Sequence, residues 1–169
     1  MFFYCLQFVV GDTRDMKYGC LLITVFWLYS GSAGAASADQ IVNRYDYGNC
    51  LVRTAHAYQI SPLLIDAIIK VESSHNPQAI NINNGESEDV GLMQINSHWL
   101  PQIKPLGYDR NSLFDPCTNI QVGTWILAQE IQRFGYTWTA VAAYNAGPAK
   151  AKQSRGSRYA LRVFSHLDQ

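Results

Sequence analysis

The sequence predicts an α+β fold that is mostly helical and carries a small β-hairpin lobe. Two observations predict the helices: a capping residue stands directly before proline at two points in the chain, and apolar residues follow at helical spacing. A third observation predicts the lobe, because the polar segment 78–96 contains the turn sequence Asn83-Asn84-Gly85. The chain of 169 residues is about the size of one domain.

Two helices are predicted before the lobe. Asn49 is the expected N-cap of the first, which runs through CLVRTAHAYQ. Ser61-Pro62 supplies the N-cap and first residue of the second, and that helix should end before Asn76-Pro77 because the residue before proline disfavours helix. The predicted buried stripe of this second helix is Leu63, Leu64, Ala67, Ile68 and Val71.

Three helices are predicted after the lobe. The first two carry the usual terminal signals of helices, a capping residue at the start and a glycine at the end. The predicted bounds are Asp115-Pro116 to Gly135, Thr137 to Gly147-Pro148, and 155–167. The apolar face of the first comprises Ile120, Gly123, Leu127, Ile131 and Phe134.

The N-terminal segment predicts export. Met16-Lys17 precede the uncharged run YGCLLITVFWLY, and small residues ending Ala36-Ser37-Ala38 follow it. A short positive segment, an apolar run and an A-x-A site form a secretory signal peptide. The run is too short to span a bilayer, which needs about 20 residues. Residues 16–38 are therefore the predicted signal peptide, 39–169 the mature domain, and the periplasm the expected location.

Residues 1–15 fit a signal peptide poorly because they contain Asp12 and Asp15. We interpret them as a gene-start extension, with translation beginning at Met16. The alternative is a genuine N-terminal extension or a signal anchor.

The charge balance excludes one function class. The chain has 13 basic and 13 acidic residues, and removal of 1–38 leaves 11 of each. A nucleic-acid-binding protein normally has a basic surplus, so no nucleic-acid partner is expected. The apolar content of 48% argues against intrinsic disorder.

Cys50 and Cys117 are the two cysteines of the predicted mature domain. In an oxidising compartment a bridge between them would close a loop of 67 residues, which the chain-entropy account values at about 4 kcal/mol. Two cysteines alone do not establish that bridge. The chain has no CxxC or HxxxH spacing, so no zinc site is predicted.

Glu72 is the candidate general acid. It ends a strongly apolar helix, where poor hydration favours the neutral carboxyl group and raises its pKa; the alternative is a surface glutamate. Asp89 follows 17 residues later across the predicted turn, and two carboxylates so placed can flank a glycosidic bond. Glu86 and Glu88 share that segment, so spacing alone does not select Asp89.

Three motifs, in order, resemble those of the lytic transglycosylase (SLT domain) family: Glu72-Ser73, the GLMQI run 91–95 and the AYNAG run 143–147. Tyr159 is similar to the late tyrosine of that family. The resemblance covers about residues 50–165 and is strongest to the small invasion-associated type found with type III secretion, type IV pilus and conjugation systems. Members of that type have a cysteine pair that matches Cys50 and Cys117.

The resemblance implies a lysozyme-like fold and cleavage of the MurNAc–GlcNAc β-1,4 bond of peptidoglycan without water. Glu72 would protonate the glycosidic oxygen and then accept the proton of the MurNAc C6 hydroxyl, which attacks C1 and gives a 1,6-anhydroMurNAc end. It also implies that no metal or cofactor takes part and that the protein opens the wall locally for a secretion or pilus machine. We expect the protein to be a monomer.

Segment 72–99 also resembles animal-type lysozyme, in which a Glu is followed after 17 residues by an Asp and then by a G-x-x-Q-I-N-S run and a Trp. Asp89 is the matching position, where it could stabilise an oxocarbenium ion or act as a nucleophile. Two alternatives therefore stand beside the transglycosylase: a lysozyme-like hydrolase that uses Glu72 and Asp89, and a non-catalytic peptidoglycan-binding assembly factor.

The other motif residues are predicted to bind substrate. Gln94 would hold an N-acetyl group, Tyr144 and Asn145 would orient Glu72 or the sugar, and Trp99 would stack on a ring. The alternatives are core packing for Met93 and Tyr144, a partly exposed aromatic for Trp99 and a helix cap for Ser73. The full predicted substrate-binding set is Ser73, Met93, Gln94, Ile95, Asn96, Trp99, Tyr144, Asn145 and Tyr159.

Overall fold

The computed structural model describes residues 38–85 and 87–167. The predicted extension, almost all of the predicted signal peptide, and Glu86 lie outside the described residues, so those predictions stand as predictions.

Seven α-helices and one three-stranded antiparallel sheet form this part of the chain, and the predicted mostly helical α+β fold is confirmed. The helices are α1 Ala38–Arg44, α2 Gly48–Tyr58, α3 Pro62–Ser73, α4 Leu100–Ile103, α5 Pro116–Phe134, α6 Trp138–Ala146 and α7 Ser154–Phe164. The strands, in sheet order, are β1 Ile80–Asn83, β2 Ser87–Val90 and β3 Ile95–Asn96. No helix in the described part is long and apolar enough to cross a membrane.

The core surrounds α3, which packs against α1, α2 and α7, while α5 packs against α2 and α6. The buried face of α3 is wider than the predicted apolar stripe. Ile65 and Ile69 are fully buried beside Leu64, Ala67 and Ile68, whereas the outer stripe members Leu63 and Val71 are only partly buried. A helix enclosed by several neighbours buries more than one face. The rigid backbone of α3 therefore carries Glu72, in its last turn, out of a fully packed interior.

The helix starts at proline are confirmed. Pro62 and Pro116 are the first residues of α3 and α5, and the Asp115 carboxylate accepts a hydrogen bond from the Thr118 backbone N–H at 2.8 Å. The prediction for α2 is wrong, because its N-cap is Tyr47 and Asn49 lies inside the first turn. The helix begins at Gly48, where a side chain would collide with the backbone of α1.

Two other boundaries differ from the prediction. α3 ends at Ser73 and not just before Asn76, because Ser74 adopts the left-handed conformation, with φ of 52°. α7 ends at Phe164, three residues earlier than predicted. α1 and α4 are short and were not predicted.

The predicted hairpin is present, with Ile80 opposite Val90 and Asn81 opposite Asp89. The lobe is larger than predicted, because β3 adds a third strand that places Asn96 opposite Asp89 on its other side. A two-residue strand has no alternation that a sequence pattern could reveal. This register places Asp89 in the central strand, between asparagine-bearing strands.

Cys50 in α2 and Cys117 in the first turn of α5 form a disulfide, with Cα atoms 5.7 Å apart. The predicted pairing is therefore present in the structure. The bridge joins two helices that already pack on each other, and it closes a loop that contains α3 and the whole β lobe.

Replacing both cysteines by serine is expected to lower the free energy of unfolding by about 4 kcal/mol, because the unfolded chain regains the freedom of the open loop. Urea denaturation of the oxidised protein and the double variant measures this difference. Reduction of the wild-type protein should move its midpoint to that of the variant. Equal midpoints for the oxidised and reduced proteins would contradict the prediction.

Candidate active site

Glu72 lies in the last turn of α3, partly buried, where α7 crosses that helix. Its Oε1 accepts a hydrogen bond of 2.6 Å from the hydroxyl of Tyr159, a residue of α7 that is only 1% exposed. The side chain of Asn145, at the end of α6, also hydrogen-bonds to the carboxyl group. Three helices therefore fix the position of one carboxyl group.

Burial raises the pKa of Glu72 from 4.5 to about 7. This is the net effect: the negative charge of Asp89 also contributes to the rise, whereas hydrogen bonding with Tyr159 and Asn145 and the positive charge of Arg162 oppose it. A carboxyl group with this pKa is substantially protonated at neutral pH and can also lose its proton there. Both states are required of one group that donates a proton and later accepts one.

Asp89 lies in the middle of the sheet, held by side-chain amides. Its Oδ2 accepts hydrogen bonds from Nδ2 of Asn83 at 2.8 Å and of Asn81 at 3.4 Å, and its Oδ1 accepts one from Nδ2 of Asn96 at 2.7 Å. A carboxylate can only accept hydrogen bonds, so three amide donors match its charged form. We refer to Asn81, Asn83 and Asn96 as the amide cage.

The structure separates Asp89 from its neighbour Glu88. Glu88 forms a bidentate ion pair with Arg110, at 2.5 Å and 2.8 Å, and the hydrogen bond from Arg110 lowers the pKa of Glu88. Adjacent residues of a strand project to opposite faces. Asp89 raises the pKa of Glu72, whereas Glu88 is paired with Arg110. The structure thus favours Asp89 over Glu88, and the comparison with Glu86 lies outside the described residues.

The GLMQI run is a buried loop. The side chains of Met93 and Ile95 are at most 1% exposed, and Met93 packs so closely on Gly123 of α5 that position 123 has no room for a side chain. The Met93 backbone donates a hydrogen bond to Asn119 Oδ1 at 2.7 Å and accepts one from the Tyr144 hydroxyl at 2.7 Å. Met93 is therefore enclosed in the core, and its predicted contact with the sugar stays a prediction.

Gln94 adopts positive φ (50°), and its amide Nε2 donates to the Gly91 carbonyl at 2.9 Å, which closes the same loop. Ser73 donates its hydroxyl to the Ile69 carbonyl at 3.2 Å, inside α3. Trp99 packs edge-on against Trp125 of α5, with ring centroids 5.6 Å apart. These residues support the site, and their predicted contacts with substrate stay predictions.

The transglycosylase SLT domain model matches residues 49–165, which is well over half of the chain. The chain belongs to the transglycosylase SLT domain family. The SLT motifs predicted from the sequence are those that the structure assembles around Glu72.

Individual relatives agree with this assignment. Invasion protein IagB of Salmonella typhimurium is 36% identical over 121 residues, 71% of this chain and 76% of the relative. The structure of the 70 kDa soluble lytic transglycosylase of Escherichia coli matches 76% of this chain and 25% of its own, with a TM-score of 0.62 and 26% identity. An inactive mutant of lytic transglycosylase Slt from Pseudomonas aeruginosa matches 77% of this chain and 26% of its own (TM-score 0.61, 22% identity) and shows the same fold.

The chain thus spans about a quarter of the length of each of those two solved chains. The family and the fold support the predicted enzyme class, a peptidoglycan lytic transglycosylase. The lysozyme-like fold expected from the sequence is likewise that of these neighbours.

Sequence reasoning missed three residues of this SLT domain site. Asn81 and Asn83 alternate along β1 and so share one face of the strand, a pattern that becomes meaningful only once the register puts Asp89 beside them. Arg162 follows Tyr159 by three residues on α7, and helical spacing places both on one side. Its guanidinium carbon lies 5.7 Å from the centroid of the Tyr159 ring.

Replacing Glu72 by glutamine is expected to stabilise the SLT domain at pH 8, because the variant no longer buries a charge. The folded-state pKa of about 7 exceeds the ordinary glutamate pKa of 4.5, so wild-type stability falls as pH rises from about 4.5 to about 7. The gain at pH 8 should be on the order of 3 kcal/mol, and it should vanish below pH 4.5. Urea midpoints of both proteins at pH 4 and pH 8 measure it; a pH-independent difference would contradict the pKa shift.

Proposed function

We propose that this SLT domain cleaves the MurNAc–GlcNAc β-1,4 bond of peptidoglycan and leaves 1,6-anhydroMurNAc ends. The observation that carries the proposal is the partly buried Glu72, hydrogen-bonded to Tyr159 and with a pKa of about 7. One carboxyl group that cycles between acid and base near neutral pH is sufficient for an intramolecular transfer.

The proposed reaction has two proton transfers and no net consumption of water. Protonated Glu72 gives its proton to the glycosidic oxygen, and the C1–O bond breaks with the electron pair leaving on that oxygen. The carboxylate of Glu72 then takes the proton of the MurNAc C6 hydroxyl, whose oxygen forms the new bond to C1. Glu72 is protonated again at the end, ready for the next cleavage.

Asp89 supports a second candidate, lysozyme-like hydrolysis. The amide cage holds a carboxylate in the same site as Glu72, and two carboxyl groups in such different surroundings are typical of retaining glycosidases. In the transglycosylase the same charge would stabilise the positive C1 centre, with the C6 hydroxyl as the nucleophile. The product distinguishes the two.

We further propose a periplasmic location and a role in opening the wall for a secretion or pilus machine. The predicted signal peptide supports the location. The similarity to invasion protein IagB of Salmonella typhimurium supports the role.

Mass spectrometry of the muropeptides released from purified sacculi tests the proposal. Anhydro products, about 18 Da lighter than hydrolysed ones because no water is added, would establish the transglycosylase. Reducing MurNAc ends would establish the hydrolase. Binding to sacculi without any release would favour the assembly factor.

A further inference from the structure

The positive charge of the described region is concentrated near its end. The segment 131–167 contains no Asp or Glu, although the whole chain has zero net charge. Its basic residues are Arg133, Lys150, Lys152, Arg155, Arg158 and Arg162. Arg158 and Arg162 are exposed and stand four residues apart on α7, so they occupy neighbouring turns on one side of that helix.

Arg162 is the member of this group that lies at the active site. Its guanidinium carbon is 5.7 Å from the centroid of the Tyr159 ring, whose hydroxyl is bonded to Glu72. Its positive charge is among the influences that lower the pKa of Glu72. Arg162 forms no ion pair with any carboxylate of the described residues.

An exposed guanidinium without a carboxylate partner is ready for an anion from outside. Arginine binds carboxylates through two parallel N–H donors, a geometry that lysine lacks. The glycan of peptidoglycan supplies that anion. MurNAc has a lactyl ether on C3, which ends in a free carboxylate or is joined to a stem peptide that has carboxylates of its own, whereas GlcNAc has none.

We propose that Arg162 binds a carboxylate on the C3 side chain of MurNAc and so selects peptidoglycan strands over neutral glycans of the same backbone. The inference rests on the proposed function, because it assumes a glycan bound across Glu72. The sugar whose C1 reacts at Glu72 is the one with the C3 side chain, so the anion and the scissile bond lie on one residue of the substrate. Arg162 is thus a specificity-determining residue.

Binding is tested in full-length protein with Glu72→Gln, which prevents turnover. Calorimetric titration uses three ligands: glycan strands with stem peptides, strands whose stems an amidase has removed, and the GlcNAc hexamer. Adding Arg162→Gln should weaken binding of at least one carboxylate-bearing ligand about tenfold, the usual effect of losing one charged hydrogen-bonded pair. Binding of the GlcNAc hexamer should not change.

Two further variants accompany it. Lys152→Gln removes an exposed cation that lines a separate groove between α6 and α7, and it should leave all three affinities unchanged. Arg162→Lys keeps the positive charge but lacks the planar guanidinium with its two parallel N–H donors, so it should recover only part of the affinity. This variant also carries the test if Arg162→Gln does not fold, which thermal melting reveals.

Comparison of the three ligands identifies which carboxylate Arg162 binds. A loss confined to stem-bearing strands assigns a stem carboxylate, and a loss on stripped strands assigns the lactyl carboxylate. Equal losses on all three ligands, no loss on either carboxylate-bearing ligand, or no binding of those ligands at all would overturn the proposal. The binding assay involves no turnover, so it is independent of the proposed reaction. If binding is selective but no anhydro products are released, the proposed reaction is contradicted and the role of Arg162 is still supported.

Discussion

Replacing Glu72 by glutamine is expected to lower the rate of muropeptide release by about 1,000-fold, within the range that a general acid and base contributes. Glutamine keeps the size of the side chain and can still accept the hydrogen bond from Tyr159. It cannot donate a proton to the glycosidic oxygen or take one from the C6 hydroxyl. The loss should therefore appear in kcat, with little change in affinity for sacculi.

The matched control for this variant is Glu88→Gln, the same chemical change at a glutamate that pairs with Arg110 at the surface. Its rate of release should stay close to that of the wild-type protein. The wild-type rate should also fall above about pH 7, where Glu72 loses the proton that it must donate. Full activity of the Glu72→Gln variant would show that Glu72 takes no part in the mechanism and would contradict the catalytic assignment.

The parts of the fold that the sequence predicted are those encoded locally. Asp115 caps α5, and proline begins both α3 and α5, because these signals act within one turn of helix. The start of α2 was missed because it depends on the close approach of Gly48 to α1, a contact between elements. The strand β3 was missed because its two residues are ordered by pairing with β2 and not by their own pattern.

The same division holds for the site. Glu72 could be selected from the sequence, because it ends a strongly apolar helix, where a carboxyl group is poorly hydrated, and because Glu72-Ser73 matches a motif of the family. The roles of Met93 and Gln94 were not, because a motif shows which residues recur and does not show which way their side chains point. Here both position the loop, and Met93 is enclosed in the core. The amide cage required the sheet register, since its members come from two different strands.

Glu72 and Asp89 illustrate how one site prepares two carboxyl groups for different tasks. Glu72 emerges from an apolar helix, and burial is the largest cause of its raised pKa. Asp89 is surrounded by amide donors, which compensate a negative charge. The proximity of that charge also favours the protonated form of Glu72. The charge on Asp89 therefore favours the protonated state of Glu72 that the first proton transfer needs, and the amide cage holds that charge in place.

This coupling determines the outcome expected for Asp89→Asn. The rate of release should fall by about 100-fold, or about 2.7 kcal/mol of transition-state stabilisation. Without the carboxylate, no negative charge faces the positive C1 centre, and the amide cage loses one of its two acceptor oxygens. The pKa of Glu72 should also fall, because the charge of Asp89 raises it. The alkaline limb of the rate profile should accordingly move to lower pH.

The shift of the pH profile separates an electrostatic role from loss of structure, because a misfolded lobe would lower the rate at every pH alike. Asp109→Asn is the matched control, since Asp109 is exposed and its Oδ1 accepts a hydrogen bond from the Ser112 N–H at 2.8 Å, which an asparagine oxygen can also accept.

The products of Asp89→Asn decide between the two chemistries. Continued release of anhydro ends at the lower rate would make Asp89 an electrostatic auxiliary to a transglycosylase, because the C6 hydroxyl would remain the nucleophile. Loss of reducing-end products would make Asp89 the nucleophile of a hydrolase. An unchanged rate and an unchanged pH profile would contradict both roles, and the amide cage would then be only a structural element of the sheet.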